Sequence, residues 1–406
     1  MKKISTIFLY LLATAALAWA LPWMYNLLLP DGSRVPHISY SPLSGEFIAT
    51  DQGESWVVNP DGSKGRGVAV AERDSLLPQQ YFVQLSNTGR LPDSILGREV
   101  SPKILKNTNF VFRSSPRDVN KRFADVYMIM ESRPARVDFE DPKEVFRTTS
   151  DGRLEFIRIA DCSVNDDRSA RFSKVFADRG FAFPMRDFSA NVTTRKPFDA
   201  GYLMIDDNGK LYNMLQQAGM PFLKAIQLPD SVKADKALVM ENPDGRHIGF
   251  VVDTEGTTYV VGSEYDVKRL DIGKFDPRRD NLLIMGSIFN WIVRIANDDQ
   301  IAWKVVDPDN YSLVAEYVMP QTQSKIEQIG AYIFPFTIAY DSLNDSFACL
   351  RVENFSLSAL WLNLVLALVT VVVMRRRRKQ PIAVVAAAAG VLVVGVFLFI
   401  PLLTLN

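Results

Sequence analysis

Pairs of adjacent carboxylates are the first feature of this 406-residue sequence that could do chemistry. They occur at Glu140-Asp141, Asp166-Asp167, Asp206-Asp207 and Asp298-Asp299. Two carboxylic acids about 5 to 10 Å apart, with different pKa values, can hydrolyse a glycosidic bond. Here each pair lies in a predicted turn, where an Asp side chain accepts hydrogen bonds from backbone N–H groups. We therefore interpret the pairs as turn residues, with acid–base chemistry as the alternative.

Metal and nucleotide sites are not indicated by the residues that usually build them. The sequence has two histidines, His37 and His247, and two cysteines, all far apart in the chain. A zinc site needs three or four such ligands, so we interpret His37 as a loop residue and His247 as a residue beside a hairpin turn. Asp206-Asp207-Asn208 matches only part of a calcium loop. No phosphate-binding glycine loop or nucleophile elbow is present, so we expect no cofactor, no metal and no catalytic residue.

A short pattern recurs in the second half of the chain and predicts a series of β-hairpins. An apolar strand is followed by Asp or Asn, by a turn residue three positions later, and by an aromatic residue six positions later. The copies are Asp206, Gly209 and Tyr212; Asp253, Gly256 and Tyr259; Asn297, Gln300 and Trp303; and Asp341, Asn344 and Phe347. Their offsets are 47, 44 and 44 residues. The first two residues of each copy supply the turn, and the aromatic residue begins the next strand.

Hairpins repeated at this interval are typical of the four-stranded blades of a β-propeller. A β-sandwich whose hairpins happen to be evenly spaced is the alternative. We predict a mainly-β, propeller-like domain over residues 30–354. One helix interrupts it at about residues 163–180, because Phe172, Val175 and Phe176 have helical spacing and Gly180 follows as a helix stop.

Two apolar segments near the C-terminus, residues 355–374 and 381–405, predict membrane-spanning helices. A helix of about 20 apolar residues crosses the roughly 30 Å hydrocarbon core of a bilayer. Between the segments lie consecutive cations: Arg375, Arg376, Arg377, Arg378 and Lys379. Such a cluster is typical of the cytoplasmic side of a membrane protein. We therefore predict a helical hairpin whose basic loop, residues 375–380, is cytoplasmic and whose last residue, Asn406, lies outside.

The N-terminal residues 4–29 form a third apolar segment, preceded by Lys2 and Lys3. It is either a cleaved signal peptide, with Ala16-Leu17-Ala18 or Ala18-Trp19-Ala20 as a cleavage site, or a signal anchor that stays as a helix. We favour the anchor because apolar residues continue beyond that site. Either interpretation exports residues 30–354. The sequence therefore predicts about three transmembrane helices, with the main domain outside the cytoplasm; the resemblance described below implies a bacterial inner membrane and a periplasmic domain.

The charge distribution argues against nucleic acid as a partner. Lys+Arg and Asp+Glu each number 46, but seven of the cations lie in the membrane-flanking ends. The exported part therefore has a net charge of about −7 by formal count. An acidic domain of this kind repels nucleic acid, so we expect the ends of the chain to contact the membrane and no nucleic acid to bind.

Two smaller features leave alternatives open. Cys162 and Cys349 both lie in the exported part, where they form either a disulfide or two free thiols. Ala386 and Gly390 are small residues at helical spacing, and such a pair lets another helix approach closely. That helix is either the partner in the predicted hairpin or a helix of another subunit.

Several stretches resemble an uncharacterised Bacteroidetes membrane-protein family. They are Asp151-Gly152-Arg153-Leu154-Glu155-Phe156-Ile157, the helix with Ser169, Arg171 and Phe172 followed by Gly180-Phe181-Ala182-Phe183-Pro184, and Lys196-Pro197-Phe198-Asp199-Ala200-Gly201-Tyr202. The family is a domain of unknown function that covers nearly the whole chain and is found near genes for ABC-transporter subunits. The resemblance implies an accessory role beside an exporter or permease, and it implies no catalytic residue.

From these features we expect a non-enzymatic inner-membrane protein whose periplasmic β-domain binds a ligand or a partner. The partner implied by the resemblance is an ABC-transporter permease subunit. The alternative is an extracytoplasmic propeller-type hydrolase or lyase that uses paired carboxylates such as Asp206 and Asp253.

Overall fold

The chain folds into two compact units, which are described separately. A computed structural model describes residues 2–29, 35–120, 126–134, 138–149, 152–321, 324–340 and 350–405. The β-unit is Pro36–Gln321, and the helical unit consists of Met1–Val35 and Thr322–Asn406. The predicted exported domain, residues 30–354, therefore extends beyond the β-unit into the helical unit at both of its ends.

The described strands of the β-unit form five sheets of three to five antiparallel strands and one two-stranded hairpin. Sheet A contains β1 (His37–Tyr40), β2 (Phe47–Asp51), β3 (Glu54–Val58) and β4 (Lys64–Gly67). The hairpin is β5 (Ser94–Ile95) and β6 (Arg98–Glu99), and it precedes the separate strand β7 (Phe110–Ser114). Sheet B contains β8 (Tyr127–Met128), β9 (Glu144–Thr148) and β10 (Leu154–Arg158).

The remaining three sheets are built mostly from strands that are consecutive in the chain. Sheet C contains β11 (Asp187–Ser189), β12 (Tyr202–Ile205), β13 (Leu211–Gln217) and β14 (Met220–Ile226). Sheet D contains β15 (Ala234–Val239), β16 (His247–Asp253), β17 (Thr258–Gly262) and β18 (Val267–Leu270). Sheet E contains β19 (Asn281–Gly286), β20 (Trp291–Ala296), β21 (Gln300–Val306) and β22 (Leu313–Pro320), with β7 added beside β19.

The sheets pack face to face, because side chains on both faces of the middle sheets are apolar. In sheet C, Met204 faces a core shared with sheet B, while Leu203 faces a core shared with sheet D. In sheet D, Val251 lies in the core shared with sheet C, and Phe250 lies in the core shared with sheet E. The other face of sheet E packs on sheet A through Trp303. These four cores arrange the sheets in the order B-C-D-E-A.

The mainly-β prediction is confirmed by these sheets, and none of the sheets formed by the described residues closes into a barrel. The predicted helix at about 163–180 corresponds to α6 (Asp166–Asp178), whose N-cap residue Asn165 accepts a hydrogen bond from Arg168 N. Its Ser169 and Ser173 side chains accept hydrogen bonds from Phe156 N and Leu154 N, at 2.8 and 3.0 Å. The helix thereby satisfies backbone donors on the open edge of β10.

The prediction of a single inserted helix is wrong. The β-unit also contains α2 (Val70–Leu76), α3 (Pro78–Asn87), α4 (Pro102–Thr108) and α5 (Pro116–Val119). All four helices are short. In addition, α2 and α5 have no buried residue, so these two helices have no apolar stripe that a sequence pattern could detect. Pro residues begin α3, α4 and α5, where the missing N–H needs no partner.

The helical unit begins with α1 (Lys2–Leu28) and continues, after the β-unit, with α7 (Lys325–Ile333), β23 (Thr337–Tyr340) and β24 (Leu350–Glu353). It ends with α8 (Ala359–Arg376), α9 (Pro381–Val394) and α10 (Val396–Thr404). Ser5–Leu28 and Ala359–Arg376 are long and apolar enough to cross a membrane, and Pro381–Val394 is a shorter apolar helix. Within the predicted basic loop 375–380, the first two arginines complete α8 and the other residues link it to α9.

The continuous helix predicted over residues 381–405 is interrupted at Gly395. This residue has φ +61°, a left-handed conformation that glycine adopts readily. A continuous helix would place Leu402 about 30 Å from Pro381. Instead, Arg377 donates hydrogen bonds to the carbonyls of Leu402 and Leu403 at 3.1 and 3.0 Å. The last helix therefore reverses direction and returns to the basic end of α8.

Side-chain packing supports this reversal at both ends of α10. A Cβ atom added to Gly390 would lie 2.6 Å from Leu398 Cδ2, so the glycine lets α10 pack closely on α9. At the other end, Tyr10 of α1 donates a hydrogen bond to the Leu405 carbonyl at 2.6 Å. Of the two residues predicted to pack against a helix, Gly390 thus contacts α10 of its own chain, whereas Ala386 is exposed.

A buried asparagine lies at the interruption. Asn363 of α8 is fully buried, and its Nδ2 donates to the carbonyl of Leu392 at 3.1 Å. That carbonyl belongs to the last turn of α9, where helix carbonyls lack partners within the helix. A Cβ atom on Gly395 would collide with Asn363 Oδ1. The absence of a side chain at residue 395 therefore allows both the turn and this contact.

We predict that Gly395→Ala destabilises the protein much more than Gly89→Ala. Both glycines have positive φ, at +61° and +65°, but nothing lies within 4 Å of a Cβ atom on Gly89. Gly89→Ala should therefore cost only about 1 kcal/mol of backbone strain, whereas the collision with Asn363 should raise the cost of Gly395→Ala to about 3 kcal/mol. Thermal unfolding of the full-length protein in detergent measures both. Equal losses would contradict the packing of Asn363 on Gly395.

Candidate functional site

The predicted repeat residues lie in the hairpin turns between the second and third strands of sheets C and D. Asp206 follows β12, and its Oδ1 accepts hydrogen bonds from Asn208 N and Lys210 N at 3.0 and 2.8 Å. Asp253 is the last residue of β16, and its Oδ1 accepts from Glu255 N and Thr257 N at 2.9 and 2.8 Å. Both carboxylates therefore stabilise their own turns.

The second oxygen of each carboxylate is also used. Asp206 Oδ2 accepts a hydrogen bond from Ala182 N at 3.3 Å, and Asp253 Oδ2 accepts one from the Tyr259 hydroxyl at 3.2 Å. Burial, together with the negative charge of Asp253, raises the pKa of Tyr259. These contacts fit the interpretation as turn residues, and both carboxylates are buried.

The repeat glycines connect each hairpin to the segment that follows it. The Gly209 carbonyl accepts a hydrogen bond from Ala234 N, and the Gly256 carbonyl accepts one from Phe275 N, both at 2.9 Å. Both glycines have positive φ, and a Cβ atom on either would lie 3.1 Å from a neighbouring residue. Glycine is therefore required by both the turn and the close approach of the next segment.

The third copy matches the spacing but not the structure. Asn297 begins the turn between β20 and β21, which is one residue shorter than the others, because Asn297 N bonds to the Gln300 carbonyl. Tyr212 and Tyr259 pair with the residue two positions before their Asp, but Trp303 pairs with Arg294, three positions before Asn297. Trp303 consequently lies on the opposite face of its sheet, toward sheet A.

The fourth copy, with Asp341 and Phe347, lies outside the residues that the structure describes, and so does Cys349. Cys162 is exposed in the loop after β10, with φ +56°. The predicted choice between a disulfide and two free thiols therefore stays a prediction. The side chains of Lys2 and Lys3, at the start of α1, are also outside the described part.

The residues of the third resembling stretch form a buried charged cluster. The Lys196 ammonium contacts Asp199, Glu241 Oε1 at 3.1 Å and the Asn191 carbonyl at 2.7 Å, and all three ionised side chains are almost fully buried. Ala200 N donates to Glu241 Oε1 at 2.7 Å. Burial nevertheless raises the pKa of Glu241. The cluster joins the segment before β12 to the loop after β15, which is a structural role.

A polar cavity of about 370 Å³ opens at the end of sheet D where β16 begins. It is lined by residues from three segments: Arg246 and His247 at the start of β16, the turn 262–266 between β17 and β18 with Lys268 beyond it, and the loop 308–311 that precedes β22. Arg98 of β6 donates a 2.6 Å hydrogen bond to Asp309 of that loop. Residues of sheets D and E therefore line this cavity, and the small hairpin contacts one of its loops.

His247 and Tyr311 form the only histidine–tyrosine pair among the described residues of the cavity. His247 Nε2 lies 2.8 Å from the Tyr311 hydroxyl, and both rings pack against the buried Trp291. Tyr311 has φ +60°, a conformation uncommon for a bulky residue and found more often at functional sites. His247 Nδ1 is buried without a hydrogen-bond partner in the described part of the chain. Such an atom is an available donor or acceptor.

Burial controls the protonation of this pair. Burial lowers the pKa of His247; Asp244 and Asp266 oppose the effect, while Arg246 and Lys268 add to it. Burial also raises the pKa of Tyr311 to about 12. The pair is therefore a neutral imidazole and a neutral phenol at pH 7. Whichever group donates in the hydrogen bond between them, Nδ1 of His247 is left without a hydrogen-bond partner in the described structure.

The described lining of the cavity contains no contact between an aliphatic hydroxyl nucleophile and a base. Ser263 is its one hydroxyl-bearing aliphatic residue, and no hydrogen bond between Ser263 and His247 occurs in the described structure. Nucleophilic catalysis needs such a contact between nucleophile and base. Among the described residues, no group of three His, Cys, Asp or Glu side chains could hold a metal ion. The sequence pattern predicts only that His247 lies beside a turn, because its contact with Tyr311 joins residues 64 positions apart.

A known sequence family matches most of the residues of the β-unit. The profile of the family described as Domain of unknown function (DUF4857) matches residues 37–305. The chain belongs to the DUF4857 family. The matched residues include the first three copies of the repeat and His247, but not Tyr311 or the apolar helices. A comparison with curated proteins gives no match.

Two solved structures show remote likeness to this DUF4857 protein. "Dihydro-heme d1 dehydrogenase NirN in complex with DHE" is 14% identical, with 66% of this chain and 64% of that chain covered and a TM-score of 0.24. PorZ, described as an essential bacterial surface component of the type-IX secretion system of Porphyromonas gingivalis, is 11% identical, with coverages of 82% and 34% and a TM-score of 0.22. The chain spans less than two thirds of either protein, and at these TM-scores neither likeness carries an argument.

We predict that Asp253→Ala lowers the free energy of unfolding by about 2 kcal/mol, because it leaves the turn donors without an acceptor. Asp253→Asn retains an oxygen acceptor and should cost about 1 kcal/mol or less. Asp298→Ala, at an exposed turn acid, is the matched control and should change stability by under about 0.5 kcal/mol. Urea unfolding of the purified protein measures all three. A loss of cellular function in Asp253→Asn without a loss of stability would favour a catalytic role.

We predict that His247 makes the fold sensitive to mild acid. Because its pKa is lowered in the folded chain, the unfolded chain binds the proton first as the pH falls below 6.5. Stability should therefore be complete above pH 6.5 and decline as the pH falls below it, until the pKa of the folded state is reached. Burial also lowers the pKa of His37, so His37→Gln is the matched variant. The thermal midpoint should depend less on pH between pH 7.5 and 5 in His247→Gln than in the wild type. An unchanged slope of midpoint against pH would contradict the burial of a neutral imidazole.

Proposed function

We propose that this protein is a membrane-anchored, non-enzymatic binding protein whose β-unit takes a small polar ligand in the His247–Tyr311 cavity. The observation that carries the proposal is the polar cavity of about 370 Å³ that His247 lines, together with the buried Nδ1 of this residue, which has no hydrogen-bond partner in the described structure. A buried polar atom without a partner is costly, and a bound ligand would supply the missing hydrogen bond.

The lining favours a ligand with both donors and acceptors. Arg246 and Lys268 bring positive charge, while Glu264, Asp266 and Asp309 bring negative charge. A strongly anionic or strongly cationic ligand would meet like charges on one side of the cavity. Sugars and zwitterionic amino acids have the required mixture and fit a volume of this size.

The architecture is consistent with the propeller-like domain expected from the repeat. Five sheets stack face to face in the order B-C-D-E-A, and chain-consecutive strands build most of them, as in the blades of a propeller. We infer that the sheets are blades of an incomplete or irregular propeller. The remote structural likenesses play no part in this inference.

The topology that we infer for the helical unit differs from three spanning helices. Helices α1 and α8 are long enough to span, and the cations at residues 375–379 favour the cytoplasm for the end of α8. Since α10 returns to Arg377, α9 and α10 would enter the membrane and leave it on the same side. The β-unit, inserted between α1 and α8 in sequence, would then lie in the periplasm of a bacterial inner-membrane protein.

The partner expected from the resemblance, an ABC-transporter permease subunit, stays a proposal, as does a Bacteroidetes origin. Gly390 is covered by Leu398 of the same chain, so a contact with another subunit would have to use the exposed Ala386 and its neighbours on α9. The hydrolase alternative receives no support from the carboxylates, because Asp206 and Asp253 accept hydrogen bonds within their own hairpins.

A thermal-shift comparison tests the binding proposal. Full-length protein in detergent is heated with millimolar monosaccharides, disaccharides and amino acids, one at a time. A true ligand at about 100 times its Kd should stabilise the wild type by about 2.7 kcal/mol, which is several degrees. The stabilisation should disappear in His247→Gln, whose amide can still reach Tyr311 but does not replace Nδ1.

Lys274→Gln, an exposed change outside the cavity, is the matched control and should keep the full shift. A shift of equal size in wild type and His247→Gln would place the ligand elsewhere. A panel in which no compound stabilises the wild type would contradict the proposed class of ligand.

A further inference from the structure

A groove of about 690 Å³ runs between α8 and α9. Its walls are apolar, with Leu364, Leu368 and Leu392 among the lining residues, and the small side chains of Ala388 and Ala389 widen it. The volume lies within the range of protein sites that bury a whole small molecule. A groove of this kind in an apolar pair of helices offers space for a hydrocarbon chain.

One end of the groove is cationic. Arg375, in the last turn of α8, and Lys379, just before α9, both line it. Residues 355–405 contain no Asp or Glu, and neither cation forms a salt bridge within the described part of the chain. The neighbouring Arg377 differs, because its guanidinium binds the carbonyls at the end of α10. Two of the five cations therefore face the groove without an anionic partner.

The start of α9 adds hydrogen-bond donors at the same end. Helix α9 begins at Pro381, which lines the groove, and no side chain caps its N-terminus. The first N–H groups of a helix have no partner within the helix, and the helix dipole favours negative charge there. The groove thus combines an apolar length with an anion-binding end.

We propose that the groove binds one anionic phospholipid, with an acyl chain between α8 and α9 and the phosphate between Arg375 and Lys379. The inference rests on the membrane location in the proposed function, but not on the His247 cavity. An apolar helix from a second copy would fill the groove and leave both cations unpaired. A phospholipid satisfies both ends, and basic sites between helices on the cytoplasmic side suit anionic headgroups.

The test measures lipid retention by the full-length protein. Membranes are first separated from soluble protein, which checks the anchoring independently of the lipid site. The protein is then purified in detergent, delipidated, titrated with phosphatidylglycerol or phosphatidylcholine, and analysed by native mass spectrometry. Wild type should bind one phosphatidylglycerol at least about tenfold more tightly than phosphatidylcholine, because only the former has a net negative charge.

Two paired variants locate the site. Arg375→Gln with Lys379→Gln should abolish the preference, whereas Arg376→Gln with Arg378→Gln removes the same charge from residues that do not line the groove and should retain it. Ala389→Phe, which fills the groove while keeping both cations, should weaken phosphatidylglycerol binding by about tenfold or more.

Three outcomes would overturn the proposal. Equal losses in the two charge variants would show general attraction to a basic surface. Unchanged binding in Ala389→Phe would show that the acyl chain lies elsewhere, and full competition by inorganic phosphate would show a headgroup site without a chain. A protein found in the soluble fraction would instead refute the membrane part of the proposed function.

Discussion

The β-unit depends on one packing constraint: its middle sheets are apolar on both faces, so each must lie between two others. All seven residues of β16 are buried, and Phe250 and Val251 face the sheets on opposite sides. A strand of this kind has no face for water, as in sheets that are covered on both sides. Removing either neighbouring sheet would expose apolar surface to water, at a free-energy cost of about 25 cal/mol per Å². The stacking order of the sheets follows from this requirement.

The same constraint decides where function can lie. With both faces of sheet D buried, only the ends and edges of its strands are available to a ligand. At the end where β16 finishes, Asp253 and Gly256 use their polar groups within the turn and in the link to Phe275. At the opposite end, where β16 starts, His247 meets a loop from sheet E instead of closing a turn. The cavity therefore forms at the end that the hairpin repeat does not occupy.

The sequence reveals the local parts of this structure and misses the distant ones. Asp206 and Gly209 indicate a hairpin because the turn is made by neighbouring residues. Trp303 shows the limit of spacing, since a turn shorter by one residue moves its side chain to the other face of the sheet. The pairing of His247 with Tyr311 depends on how two sheets stack, which no local pattern contains. Gly395 is likewise one small residue in an apolar run until Asn363 is seen beside it.

The five cations at the end of α8 and directly after it show that residues sharing one topology signal can have different contacts. The positive-inside rule treats Arg375 to Lys379 as one cluster, because only their total charge matters for insertion. Once α10 reverses, Arg377 lies at the carbonyl end of that helix, where a cation is favoured by the helix dipole. Arg375 and Lys379 face the groove between α8 and α9 instead. Because folding uses one of these charges and leaves two directed at an apolar groove, equivalent arginines in the sequence have different physical roles.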